Sequence, residues 1–192
     1  LSGLFSPGVT LIDDLENAGK KILRFQLGQM LNWQSIALLG EDIEGVHKMR
    51  VATRRIRTLF RYLKPYFKQK KFRAYRAFIA NTGRVLGGVR DLDVIRLVLG
   101  EFGLEDIEAW RAAYDLDYAR KRAALNKLVQ SPEYSQNISG FYQFLTETKW
   151  KHKKTSPIKV GDPKTYFPQM LLGKWQSIQK KYVDITPEPY ST

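Results

Sequence analysis

A chain of 192 residues, 43% hydrophobic and 12% aromatic, can bury one core and is not a disordered polybasic tail. Its net charge of +13 comes from 32 basic and 19 acidic residues, and the absence of cysteine excludes a disulfide framework and a thiolate metal site. No uninterrupted apolar run approaches bilayer-spanning length and the N-terminus lacks the basic-then-apolar order of a secretory signal, so a cytoplasmic protein that does not enter a membrane is expected.

Thr10 and Asp13, after Pro7 and Gly8, form a helix-start pattern with the acid near the positive end of the dipole. From there Leu11, Leu15, Ala18, Ile22, Phe25 and Gln29 follow helical spacing, and the pattern predicts one long helix to about Leu39. Gly40 with Glu41, Asp42 and Glu44 marks the break before a second helix, which runs from Val46 to Leu63 and ends ahead of Pro65. A third helix is predicted from Lys70 to Val85, with Phe72, Tyr75, Phe78, Ile79 and Thr82 toward the core. Gly87 and Gly88 close it, and Asp91 caps a short helix through Leu99. After Gly100 and Gly103, Leu104 to Val129 reads as another long helix, and Pro132 follows its end.

Tyr134 to Trp150 reads as helix, with the run from Lys149 to Lys154 as its basic end. Residues 156–162 read as a loop, Tyr166 to Lys181 as a last helix, and 186–192 as an unstructured tail. Trp33, Trp110, Trp150 and Trp175 are expected as core or interface anchors. No strand pattern occurs, so the fold class is all-α: an antiparallel bundle of long helices in a single domain over residues 1–192.

The charge is concentrated in one block. Residues 1–44 carry −3, residues 45–100 carry +13 with only two acids, residues 101–131 carry −1 and residues 132–192 carry +4. Unbalanced repulsion on this scale points to an anionic partner. Within the block, the helix from Val46 to Leu63 has two faces. At 100° per residue, His47, Arg50, Arg54, Arg57 and Arg61 fall within roughly 80° of one another, while Met49, Ala52, Ile56, Leu59, Phe60 and Leu63 fill an arc of about 100° on the other side. Lys48 and Arg55 flank the basic row, which is about 21 Å long and suits an elongated polyanion better than one phosphate. Ordinary solvated faces mix signs at i, i+4, whereas this helix holds no acid. Arginine adds a planar fork that pairs with phosphate oxygens and stays charged at any relevant pH.

The segment Val46-His47-Lys48-Met49-Arg50-Val51-Ala52-Thr53-Arg54-Arg55-Ile56-Arg57, with Leu86-Gly87-Gly88-Val89-Arg90-Asp91-Leu92-Asp93-Val94 some thirty residues on, resembles the CHAD family, the conserved histidine α-helical domains. The resemblance implies a helical bundle with internal two-fold pseudo-symmetry and a basic surface or pore that binds inorganic polyphosphate. His47, Arg50, Arg54, Arg55 and Arg57 match the first motif and Arg90, Asp91 and Asp93 the second. Helix geometry, not the motif, adds Arg61 and Arg84. The family's second arginine-rich helix has no counterpart: the last 60 residues hold nine lysines and no arginine. The chain thus corresponds to the first half of such a domain and part of the second, and a second copy in a homodimer could supply the missing repeat.

Polyphosphate binding without catalysis is therefore the leading expectation, in the cytoplasm or at polyphosphate granules. A nucleic-acid backbone is the second candidate partner, although the stripe offers almost no side chain to read or stack on bases. A polyphosphate hydrolase is the third. It would use Asp91 and Asp93 as Mg²⁺ ligands, but two acids among so many arginines would be neutralised, and the structural reading has Asp91 cap a helix and Asp93 brace a motif arginine. No cofactor or metal is expected, because the two histidines, His47 and His152, lie far apart. His47 reads equally as a ligand contact or a locally satisfied side chain.

Overall fold

The computed structural model describes residues 6–10, 12–64, 70–103, 108–151, 171–173 and 175–177, with only the backbone described at 71, 108 and 109. Among the described residues, six continuous helices follow in order: α1 Leu15–Asn32, α2 Gln34–Leu39, α3 Ile43–Leu63, α4 Lys70–Glu101, α5 Glu108–Val129 and α6 Pro132–Thr146. No strand occurs among the described residues. Residues 171–173 and 175–177 are helical, within the predicted last helix. The predicted loop at 156–162, His152 and the predicted tail at 186–192 lie outside the described residues, as do Leu11, Leu104, Ile107 and Pro65.

α1 starts later than the sequence pattern predicts. Asp13 does accept from the Thr10 N–H at 2.6 Å and pairs with Lys21 at 2.7 Å, but the helix begins only after Asp14. Asp14 is the N-cap instead, accepting from the Asn17 N–H at 2.7 Å. The predicted helix to Leu39 is broken at Trp33, and the core positions of α1 are Leu15, Ala18, Leu23, Leu27 and Met30. Ile22, Phe25 and Gln29 sit at the edge of that face.

The turn from α2 into α3 is built from three sequence features. Gly40 takes φ 78° at the end of α2, a left-handed conformation that glycine adopts at little cost. Asp42 caps α3 by accepting from the Glu44 N–H. Gly45 permits a close crossing, since a Cβ there would lie 2.5 Å from the Ala37 backbone nitrogen. Arg122 of α5 ties this corner down, donating from Nη1 to the Ala37 carbonyl and from Nη2 to the Leu38 carbonyl at 2.6 Å. These are carbonyls that a helix end leaves unpaired.

α4 corrects the largest expectation. It is one helix of 32 residues, about 48 Å long, and passes through Gly87, Gly88 and Asp91 without a break. The glycines are there for packing. A Cβ at Gly83 would lie 3.2 Å from Thr53 Oγ1, one at Gly87 3.6 Å from Arg50 Nε, and one at Gly88 3.1 Å from Lys121 Cδ. Gly83 and Gly88 let α3 and α5 approach α4 closely, whereas the contact at Gly87 is of ordinary length, and Asp91 is an exposed mid-helix residue, not a cap.

The core lies between α1, α3, α4 and α6. Met49, Ile56, Phe60 and Leu63 of α3 meet Leu23, Leu27 and Met30 of α1 and Ile79, Leu86 and Val89 of α4, all nearly inaccessible. At one end an aromatic cluster closes it: Phe72 packs edge-on against Phe60, Phe144 and Trp150 at 4.8 to 5.5 Å between ring centroids. Trp150, predicted at the basic end of a helix, lies beyond α6 and is 1% exposed. Its backbone N–H donates to the buried Glu16 carboxylate at 2.9 Å, and Glu16 also pairs with Lys20. Trp33 is partly buried against the core and Trp175 is exposed.

Candidate functional site

α3 docks in the orientation that its two faces require. Val46, Met49, Ala52, Thr53, Ile56, Phe60 and Leu63 are buried, Leu59 is partly buried, and Arg54, Arg55, Arg57 and Arg61 are exposed. Arg50 and His47 are half-buried. The helix begins at Ile43, so His47 lies in its second turn, and the dipole penalty expected for a first-turn cation is reduced. Among the described residues no carboxylate pairs with Arg50, Arg54, Arg55, Arg57 or Arg61; the acid of this helix, Glu44, lies in the first turn, 3.4 Å from Lys48.

The basic face has two flanks. On one side, α3 runs antiparallel to α4, with Arg50 over Gly87 and Arg57 over Gly83. On α4, Arg76, Gly83 and Gly87 share an arc of about 40°, and Arg73 and Arg84 follow within about another 60°. All three arginines are exposed. A second cationic row therefore borders the α3 row, the two helices meeting at Gly83 and Gly87 beneath Arg57 and Arg50. Arg84 is held by Asn81 Oδ1 at 2.5 Å. On the other side, His47, Arg54 and Arg55 line a shallow depression of about 330 Å³ with Gln26, Gln29 and Trp33 of α1. Arg55 belongs to this flank, so the structure separates it from Arg50 and Arg57.

The second motif lies deeper. Arg90 is half-buried and its Nη1 has no hydrogen-bond partner. Asp93, one turn on, is 3% exposed, and its Oδ2 is likewise without a partner. Burial pushes the Asp93 carboxyl above the usual carboxylate range, against the opposing pull of the Arg90 charge, a Tyr118 hydrogen bond and the Arg122 and Arg96 charges. Asp93 thus lies within the electrostatic reach of three arginines, while its Oδ2 and Arg90 Nη1 stay without a hydrogen-bond partner. Asp91 is exposed and apart from it. Among the described residues no group of three or more His, Cys, Asp or Glu side chains could hold a metal ion, and no helix is long and apolar enough to cross a membrane.

Sequence reasoning missed the crossing of α3 and α4 at Gly83 and Gly87 and the Arg122 clamp. The spacing Gly83-x-x-x-Gly87 on a basic amphipathic stretch was the available signal for the crossing; nothing local in the sequence marks Arg122.

A helical bundle presenting an unpaired arginine row is the class that fold and surface define. Residues 21–191 match the CHAD domain family, and the chain belongs to it. The crystal structure of the CHAD domain from the plant Ricinus communis is similar, at 21% identity and a TM-score of 0.70, covering 95% of this chain and 60% of that one. PptA from Streptomyces chartreusis is similar at 14% identity and a TM-score of 0.59, covering 92% of this chain and 62% of that one. The chain thus spans about three-fifths of the length of these two solved structures, and at such identities the likeness shows the fold alone. No curated protein matches the sequence.

Proposed function

We propose that the chain is a non-catalytic binding module for inorganic polyphosphate, held along the arginine row of α3 and bordered by the arginines of α4. The observation that carries this reading is the row Arg50, Arg54, Arg57 and Arg61, turned away from the core and without a carboxylate partner among the described residues. Unpaired guanidinium groups in line favour a ligand with repeating negative charge, and the row's length of about 21 Å fits several successive phosphates. His47, Arg55, Arg61, Arg84 and Arg90 contribute through proximity and charge, with Asp91 and Asp93 in supporting roles. A single domain in the cytoplasm accords with this ligand, and a homodimer would extend the basic surface.

Calorimetry of long-chain polyphosphate against the chain, with tripolyphosphate as control, tests the reading. Binding should weaken steeply with salt, because each neutralised phosphate releases a counterion. The triple variant Arg50→Ala, Arg54→Ala, Arg57→Ala should lose most of the affinity while keeping its helicity. Equal displacement by duplex DNA at the same phosphate concentration would favour a nucleic-acid backbone instead, and release of orthophosphate with Mg²⁺ would convert the module into a hydrolase.

A further inference from the structure

A cleft of about 530 Å³ opens where the α2 to α3 turn meets the middle of α4 and α5, away from the arginine row; Gly40, Asp93, Arg96, Leu97, Tyr114 and Tyr118 are among the residues that line it. That volume is within the range of about 300 to 1,000 Å³ of small-molecule sites. Its most informative feature is Asp93, whose Oδ2 is buried with no hydrogen-bond partner. Folded proteins rarely leave a buried acceptor unmet, because it forfeits its water without replacement. Tyr118 already hydrogen-bonds this carboxyl, and Oδ2 is the oxygen still without a donor.

The surroundings restrict what can bring that donor. Arg90, Arg96 and Arg122 all act electrostatically on Asp93, so an organic cation would meet net positive charge and be disfavoured. A neutral N–H is accepted more readily. Tyr114 and Tyr118 stack at 5.5 Å with an interplanar angle of 15°, and Trp110 continues the stack at 4.9 Å from Tyr114. This aromatic ladder on α5 and Leu97 on α4 give the cleft walls suited to a flat ring. Arg96 is exposed and lines the same cleft, where it can hold an anionic group attached to the ring; Glu41, on the α2 to α3 turn, also lines the cleft and would repel such a group.

We propose that this cleft binds a guanine nucleotide, with the base between the tyrosines and Leu97, its adjacent ring and amino N–H groups donating to Asp93, and its phosphate at Arg96. Guanine suits the floor because its N1 and N2 are both donors. Adenine places a lone pair at N1, against the carboxylate.

The test is calorimetric titration of GMP, AMP and guanosine into the full chain. GMP should bind saturably, guanosine should bind more weakly, and AMP should bind at least tenfold more weakly than GMP. Asp93→Asn should cost GMP about 10- to 100-fold, the size of one lost charge-assisted hydrogen bond. Because that variant could also disturb the fold, Leu97→Trp provides a second arm: it fills the cleft from a half-exposed wall position and should abolish GMP binding with helicity unchanged. The triple arginine variant should keep GMP affinity within twofold while losing polyphosphate, so the two sites fail independently. Absence of saturable GMP binding overturns the proposal. So does equal affinity for GMP and AMP that vanishes in the triple variant, since both would then be generic anions on the arginine face.

Discussion

The two halves of α4 are built from similar hydrophobic residues and meet opposite fates. Up to Val89 the helix puts Phe72, Ile79, Thr82, Leu86 and Val89 into the core, where aromatic and aliphatic neighbours from α3 and α6 surround them. Beyond Asp93 it projects past α1 and α3, and Val94, Ile95, Leu97, Val98 and Phe102 are 41% to 72% exposed. Apolar residues stabilise only in proportion to the surface they lose to water, so the first half should carry the stability of the bundle. The second half should be nearly indifferent to substitution.

The widest gap is expected between Phe60, the α3 residue against which Phe72 of the first half packs, and Phe102, just past the end of the second half. Phe60→Ala empties a site 1% exposed that touches Phe72 and Phe141, and chemical denaturation should register a loss of about 3 to 5 kcal/mol. Phe102→Ser, at 72% exposure, should stay within about 0.5 kcal/mol of the parent. A comparable loss from Phe102→Ser would mean that something covers the projecting half in solution, and the contrast would fail.

Next in size are the clamps that hold the ends of the bundle. Glu16→Ala leaves the Trp150 backbone N–H without its buried acceptor and should cost about 1 to 3 kcal/mol. Arg122→Ala removes both donors from the α2 carbonyls and should cost a similar amount, with amide exchange accelerating first at α2. Gly87→Ala runs the other way. The position is inside a helix, and the added Cβ meets Arg50 Nε at an ordinary 3.6 Å, so the substitution should stabilise by roughly 0.5 to 1 kcal/mol. A loss there would revive the reading of Gly87 as a helix-closing residue.

α3 was readable from sequence because its two faces differ in chemistry at every turn; the apolar arc from Met49 to Leu63 docks as the 3.6-residue period requires. The motif pair around His47 and Arg90 was equally clear, and with it the CHAD fold. α4 was misread for a physical reason. Gly87-Gly88 followed by Asp91 has the composition of a helix stop and restart, and only the positions of Thr53 and Lys121 in space show that Gly83 and Gly88 serve helix crossings. Asp13 misled differently: it makes the local bond to Thr10 and also pairs with Lys21, yet the chain turns helical only after Asp14. The clefts beside Asp93 and His47 depend on which helices become neighbours, which a single strand of sequence does not state.

The smallest expected effect concerns acidity, and it separates the start of α1 from the middle of α4. Asp13 is held below the usual carboxylate range, chiefly by the hydrogen bond from Lys21 and then by the Thr10 N–H. Its contribution is present above the unfolded value of about 3.9 and is lost as pH falls through the lower folded value. Asp93 is shifted upward by burial, so the folded state holds its proton more tightly than the unfolded chain does. Its contribution falls as pH rises from the unfolded value through the raised folded one. Denaturation midpoints measured for the parent, Asp13→Asn and Asp93→Asn across the acid range should therefore diverge in opposite senses. Asp13→Asn should flatten the parent's loss on acidification, whereas Asp93→Asn should steepen it by removing the one of these two carboxylates that gains from protonation. Identical slopes for the two variants would show that Asp93 is solvated, and the empty acceptor in its cleft would then be filled by water.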